Sequence, residues 1–203
     1  AQSSSIDGFN VNFIGTFNVL QAAREAKCKR VVYSSTSACY GLKNQPPLSE
    51  DMKNDNLNPY SVSKLAGEDL AAMYSNLFNV PTVCLRYFNV FGERMPEKGQ
   101  YAPVVAIFLR QLRENKPLTV VGDGLQERDF IYVKDVVDAN IKAAMAPIDA
   151  CGQAYNVGSG KNISVLEIAK MFNCPIEHLP PRVGEARSTL ANISKITREL
   201  NWS

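Results

Sequence analysis

The 203-residue sequence predicts an α/β protein: a doubly wound, largely parallel sheet with helices on both faces, and a smaller lobe in the C-terminal half. Three observations carry this expectation. Helix-period apolar patterns alternate with β-branched apolar runs, an Asn-Pro pair at 58–59 opens a long helix between two such runs, and the pattern changes from about Phe91 onward. The length suits one large domain or one domain with a small appendage. The expected division is 1–92 and 93–203, with segments near 125–160 returning to the first part.

Phe9, Phe13, Ile14, Phe17, Leu20 and Ala23 recur at helical spacing, and the basic stretch 27–30 leads into Val31-Val32-Tyr33, so a helix over 10–26 precedes a strand. A polar loop with Pro46-Pro47 follows. Asn58 as N-cap and Pro59 at the first helical position then start a helix running to about Phe78. Residues 82–87 read as another buried strand. Beyond them the pattern predicts a helix over 104–114, a strand over 118–121, a helix from Asp135, a strand over 154–157 and a helix after Ser164. Ser164 and Glu167 have the spacing of a capping box.

Composition removes several functional classes. No run of about 18 apolar residues is present to span a bilayer, and no charged-then-apolar signal segment opens the chain. Five scattered cysteines (Cys28, Cys39, Cys84, Cys151, Cys174) form no CxxC pair, so neither a disulfide framework nor a thiolate zinc site is expected, and a reducing cytoplasm fits best. The single histidine, His178, has no GxSxG or Cys-His context for nucleophilic catalysis, and no metal site is expected. With 22 Lys plus Arg against 20 Asp plus Glu, the formal charge is +2; without a dense basic run, neither nucleic acid nor membrane is an expected partner.

One constellation points to chemistry. The first strand ends in Ser34-Ser35-Thr36-Ser37, and 24 residues beyond Thr36 stands Tyr60, followed four positions later by Lys64. Residues i and i+4 share a helix face, which sets the Lys64 ammonium beside the Tyr60 phenol. A neighbouring cation favours a phenolate, the form that accepts a proton. Thr36 lies at the carboxyl end of a strand, where α/β sheets bind ligands, and can hydrogen-bond the same substrate oxygen. Alone, YxxxK better fits a half-buried tyrosine beside a solvated lysine. Together with the hydroxyl-rich strand end and the capped helix, it reads as a proton-transfer site for a secondary alcohol.

The segments NFIGT (12–16), VVYSSTSACYG (31–41), NPYSVSK (58–64), LRYFNVFG (85–92), GDGLQERDFIYVKDV (122–136), YNVGSG (155–160) and PPRVGEAR (180–187) occur in the order seen in the extended short-chain dehydrogenase/reductases. Over essentially its whole length the chain resembles the NAD-dependent nucleotide-sugar epimerase/dehydratase branch of that family. The resemblance implies a Rossmann-like NAD-binding part over 1–92 and a mainly nucleotide-sugar-binding lobe over 93–203. It implies that Tyr60 is the catalytic base, that Lys64 tunes it and holds the nicotinamide ribose, and that Thr36 is the catalytic Ser/Thr. Asn12, Ser34 and Tyr87, with Tyr60 and Lys64, are implied cofactor-binding positions. Ser3, Thr36, Asn89, Arg128, Arg182, Glu185 and Thr189 are implied substrate-binding positions, the arginines suiting a diphosphate because guanidinium binds phosphate bidentately. Either arginine alone would more commonly be half of a surface ion pair.

Within the branch, 4,6-dehydratases carry acidic residues after the catalytic Thr; here Ser37-Ala38-Cys39 follow Thr36. The similarity is greatest to UDP-glucose and UDP-N-acetylglucosamine 4-epimerases, which implies NAD-dependent epimerisation at C4 of a UDP-hexose or UDP-N-acetylhexosamine through a 4-keto sugar. A UDP-glucuronate decarboxylase, another NAD-dependent nucleotide-sugar enzyme, or a non-catalytic nucleotide-sugar-binding relative are the alternatives. Thr189, small at a position where relatives vary, would leave room for an N-acetyl group. The apolar helices near 10–26 and 59–78 are those through which relatives form homodimers; core packing is the rival explanation.

The sequence departs from the family in one major way. It contains no glycine-rich GxxGxxG turn, the element that seats the NAD pyrophosphate on a helix N-terminus. Ala1-Gln2 resembles the end of the family's fourth strand, so about 60 or more residues are expected to precede it, at about 30 per βαβ unit. The absence of Met at position 1, the shortness near 5–7 and near 173–175, and the end after Trp202 point the same way. The expectation is a piece of a longer chain, with an uncovered sheet edge and half a core, unstable by itself.

Overall fold

The computed structural model describes residues 5–99, 102–182 and 184–203. Along the chain, α1 (Ser5–Phe9), a π turn (Asn10–Ile14) and α2 (Gly15–Glu25) lead to β1 (Val31–Thr36), a 3₁₀ turn (Ser37–Tyr40), α3 (Pro59–Phe78), β2 (Thr82–Tyr87) and β3 (Asn89–Phe91). There follow α4 (Val104–Arg113), β4 (Leu118–Val121), β5 (Glu127–Tyr132), α5 (Val133–Ala144), β6 (Gln153–Val157), β7 (Asn162–Ser164), α6 (Val165–Met171), β8 (Ile176–Leu179) and α7 (Ser194–Leu200). The fold is the α/β class that the sequence predicts.

The principal sheet has the order β1-β2-β6 and is parallel throughout, with Val31 opposite Thr82 and Thr36 opposite Tyr87. Parallel strands need helices on both faces, and the core divides accordingly. On one face Leu20, Ala71, Tyr74 and Val80 pack from α2, α3 and the turn after it; on the other Val136, Ala139, Ala143, Ile196 and Leu200 pack from α5 and α7. β6 thus returns from the C-terminal half to the sheet begun by β1.

Helix α3 starts at its expected signal and ends at Phe78, as expected. The Asn58 Oδ1 accepts from Ser61 N at 2.9 Å, Pro59 occupies the first helical position, and Asn79 closes the helix in the left-handed conformation at φ 55°. The first helix differs from expectation. It begins at Ser5 and is interrupted by the π turn, whose Asn12 carbonyl accepts from Thr16 Oγ1 of α2 at 2.7 Å.

Two small sheets complete the molecule. β5 lies between β3, parallel to it, and β7, antiparallel to it; β4 pairs with β8 in parallel. Helices α4 and α6 cover β4 through Phe108, Leu118, Val120, Val165 and Ile168. The capping box forms in full: Glu167 N donates to Ser164 Oγ at 3.1 Å and Ser164 N to Glu167 Oε2 at 2.9 Å. Helix α5 begins at Val133, two residues before the expected Asp135.

Glycine 67 sets the distance between α3 and β1. Tyr33 Oη donates to the Lys64 carbonyl at 3.1 Å, and a Cβ at Gly67 would lie 2.5 Å from the Tyr33 Cζ. Alanine for glycine inside a helix ordinarily gains about 1 kcal/mol. Here displacement of a packed phenol outweighs that gain, and Gly67→Ala is expected to lower stability by about 1–3 kcal/mol in urea denaturation.

Candidate active site

The carboxyl ends of β1 and β2 and the first turns of α3 share one edge of the parallel sheet. Thr36 closes β1, is buried, and its Oγ1 accepts from Ala38 N at 3.2 Å, which leaves its hydroxyl hydrogen able to donate. Tyr60 and Lys64 stand one turn apart on α3, which packs against β1. Tyr60 is 43% exposed. Lys64 Nζ lies 4.5 Å from the centroid of the Tyr33 ring. Neither the Tyr60 hydroxyl nor the Lys64 ammonium makes a hydrogen bond among the described residues. Burial pulls the Lys64 ammonium below the usual lysine value, against the opposing pull of Glu68 and Cys84.

Asn12 reaches this turn from the π segment. Its Nδ2 donates to Ser63 Oγ at 3.1 Å, and Ser63 Oγ donates to the Tyr60 carbonyl at 2.9 Å. Ser63, fully buried, is a participant that sequence reasoning missed. Ser34 and Tyr87 are brought together, but on the other face of the sheet. Their hydroxyls lie 3.2 Å apart, and Tyr87 Oη donates to Asn140 Oδ1 of α5 at 3.0 Å. Strand alternation explains the split: Tyr33 and Ser35 point to α3, Ser34 to α5.

A second group gathers around a cavity of about 620 Å³ between β3, α4 and β5. Asn89, Arg128, Arg182 and Glu185 all line it. Arg128 Nη2 and Glu185 Oε1 are 2.8 Å apart, and burial pulls the Arg128 guanidinium down from its ordinary value while Glu185 opposes the shift. Arg182 is exposed and has no ion-pair partner among the described residues. Thr189 is not part of the cavity lining; its N donates to the Glu127 carbonyl at 3.2 Å and its Oγ1 is buried without a partner among the described residues. Ser3 lies outside the described residues.

The loops around Arg128 are tied by its neighbour Asp129. This fully buried carboxylate accepts from Ser159 N at 2.6 Å, Ser159 Oγ at 2.8 Å, Gly160 N at 3.1 Å and Ala191 N at 3.0 Å. Four donors converging on one buried anion join β5 to the β6–β7 turn and to the segment carrying Ser188 and Thr189.

The NAD dependent epimerase/dehydratase family matches residues 1–158. The chain belongs to that family. It is 34% identical over 200 residues to a putative UDP-glucose 4-epimerase of Methanocaldococcus jannaschii, covering 95% of this chain and 64% of that protein. It is 39% identical over 174 residues to a UDP-N-acetyl-alpha-D-glucosaminuronate decarboxylase of Bacillus cytotoxicus, covering 82% of this chain and 52% of that protein. Among solved structures, the UDP-N-acetylglucosamine 4-epimerase of Methanobrevibacter ruminantium, in complex with UDP-N-acetylmuramic acid, superposes with a TM-score of 0.90 at 30% identity, covering 96% of this chain and 64% of that one. The chain therefore spans less than two thirds of the length of these epimerase/dehydratase relatives.

Asp129→Asn would turn an amide hydrogen pair toward donors. It is expected to cost about 2–4 kcal/mol, measured as a lowered urea midpoint, because a buried acceptor of several charge-assisted bonds is replaced by a poorer one.

Proposed function

We propose that the protein carrying this chain epimerises a UDP-hexose or UDP-N-acetylhexosamine at C4 with NAD as cofactor. The observation that carries the reading is the phenol and ammonium of Tyr60 and Lys64, neither hydrogen-bonded among the described residues, on the helix packed against the strand that ends in Thr36. Such a pair suits the proton of a secondary alcohol on one side and the vicinal hydroxyls of a nicotinamide ribose on the other. The donor set thus fits the nicotinamide end of NAD. The family match and the epimerase relatives support the same assignment.

In this reading Tyr60 accepts the proton of the sugar 4-hydroxyl, and Thr36 holds that oxygen by a hydrogen bond as it becomes a carbonyl. NAD, when bound, supplies the acceptor that takes hydride from C4 and returns it to the opposite face of the ring. Lys64 favours the deprotonated phenol and grips the ribose. Arg128 and Arg182 bind the diphosphate bidentately, with Asn89 and Glu185 on the remaining polar groups of the nucleotide. Glu185 is already paired to Arg128, so it orients the guanidinium as well. Residues 1–92 form the cofactor side and 93–203 mainly the sugar-nucleotide side, with β6 and α5 returning to the first. Asn12 acts through Ser63 on the Tyr60 turn, and Ser34 and Tyr87 contribute to the cofactor side from the other face. Free cysteines and the lack of any membrane-crossing helix among the described residues support a cytoplasmic setting.

Exposed Val11, Ile14, Phe17 and Val19 on the first helical rod, with Val62 and Leu77 on α3, support a homodimer formed through these helices. A second reading is favoured by the decarboxylase relative: oxidation at C4 followed by loss of a C6 carboxylate. NMR analysis of products from each UDP-sugar separates the two.

Tyr60→Phe in the whole protein is expected to lower interconversion at least about 100-fold while the dissociation constant for the UDP-sugar stays within about twofold, because only the proton acceptor is removed. Retained turnover would refute the assigned base. Thr189→Tyr is expected to weaken kcat/KM for UDP-N-acetylhexosamine about tenfold or more relative to the plain UDP-hexose. Equal loss on both sugars would remove Thr189 from the specificity pocket.

A further inference from the structure

Beneath the proton-transfer site lies a buried ionic group that the proposed chemistry does not use. Glu68, two turns beyond Tyr60 and one turn beyond Lys64 on α3, is 6% exposed, as is Arg86 of β2. Arg86 Nη2 donates to Glu68 Oε2 at 2.7 Å, and Arg86 Nε donates to Oε1 at 2.9 Å and Oε2 at 3.2 Å. Ser35, the neighbour of Thr36, donates its hydroxyl to Glu68 Oε1. The carboxylate therefore touches the strand that ends in Thr36 and belongs to the helix that carries Tyr60 and Lys64.

We propose that Glu68 is a positioning residue of the proton-transfer site: its carboxylate clamps α3 to β1 and β2 and is the anion that keeps the half-buried Lys64 charged. The clamp follows from the bonding. Three elements meet on two oxygen atoms, so the height of Tyr60 and Lys64 along α3 is referred to Ser35 and hence to Thr36. The electrostatic part follows from what surrounds the ammonium. The groups facing Lys64 are Tyr60 and Glu68 from its own helix, Tyr33 from β1, and Cys84 from β2, with Arg86 of β2 held against the far end of the pair by Glu68. Glu68 is the one carboxylate among them. Tyr33 and Cys84 are both pushed up by burial, and Cys84 supports the Lys64 charge less than Glu68 does. Burial alone would discharge Lys64 more readily, and Glu68 opposes it. A neutral amine at this position would neither favour the Tyr60 phenolate nor donate as many hydrogen bonds to a ribose.

The inference rests on the proposed proton-transfer role of Tyr60 and Lys64, and its test includes a readout independent of turnover. The whole protein is labelled with ¹³C at the lysine ε-carbon, and the Lys64 resonance, assigned by its absence in Lys64→Arg, is followed by NMR against pH. In Glu68→Gln the Lys64 titration midpoint is expected to fall by about one unit, a tenfold loss of proton affinity. With the UDP-sugar substrate, kcat falls about tenfold or more, KM stays within about twofold, and the alkaline limb of the kcat profile moves to lower pH in step with the NMR midpoint. Ser35→Ala, which removes one bond to Glu68 but leaves its charge, lowers the unfolding midpoint without moving the Lys64 titration. If Glu68→Gln leaves Arg86 too poorly paired to fold, the double variant Glu68→Gln/Arg86→Met removes both charges and is expected to show the same fall at Lys64. An unchanged Lys64 midpoint in whichever of the two Glu68 variants folds would overturn the proposal and reduce Glu68 to a packing role. Failure of the wild-type protein to interconvert any UDP-sugar would overturn the epimerase reading and leave the NMR result standing.

Discussion

The Glu68–Arg86 ion pair is the contact from which the first half of the molecule takes its dimensions. Two charges excluded from water are tolerable only when nearly every hydrogen-bonding position is filled, and here they are. Arg86 spends its remaining Nη1 on Tyr40 Oη at 3.1 Å and on the Glu50 carbonyl at 3.4 Å. Tyr40 in turn donates to Asn156 Oδ1 at 2.6 Å, and Asn156 Nδ2 donates to the Leu48 carbonyl at 2.8 Å. One chain of polar contacts thus crosses all three strands of the principal sheet and ties down the loop that leads to α3. Removal of either charge leaves the other stranded, at a cost of about 3–5 kcal/mol.

Asp129 plays the corresponding part in the second half, by a different means. It has no counter-ion among the described residues; three backbone N–H groups and one hydroxyl converge on it. Gly158 is close beneath, where a Cβ would lie 2.8 Å from Asp129 Oδ2, so the turn can wrap the carboxylate only without a side chain at that position. The two anchors are the Glu68–Arg86 pair and Asp129. One holds Thr36, Tyr60 and Lys64 in mutual register, and the other holds the loops beside Arg128. Each half of the chain is thus pinned by a buried carboxylate of its own.

Much of the architecture was legible from local chemistry. The start of α3 carries its own signal in Asn58-Pro59, the capping box at Ser164 declares α6, and the β-branched runs declare β1, β2 and β4. Strands β3 and β7 are three residues long, and β5 opens with three charged residues in a row, Glu127, Arg128 and Asp129, before its apolar half. Such segments acquire their strand character only from their neighbours. The site was legible to the same degree. Tyr60 and Lys64 meet because i and i+4 must, and Asn89, Arg128, Arg182 and Glu185 share a cavity although 96 residues separate the first from the last. The resemblance, rather than any local pattern, linked those four. Ser34 and Ser35 are adjacent in sequence but point to opposite faces, so Ser34 joins Tyr87 and Asn140 while Ser35 joins Glu68. Neither Asn140 nor the buried partnership of Glu68 and Arg86 leaves a mark on the sequence, because a charge that will be buried looks like one that will not.

Gly67 and Tyr33 show what such tight spacing imposes. The phenol fills the room a methyl group at 67 would need, and its hydroxyl is bonded to the turn of α3 that bears Lys64. The two positions therefore behave as a single volume shared between a strand and a helix. A larger residue at 67 becomes admissible only when residue 33 gives up its ring, and the lysine then loses the aromatic surface on which its ammonium rests. Variation at these two positions has to be correlated, and the reacting groups set its limits.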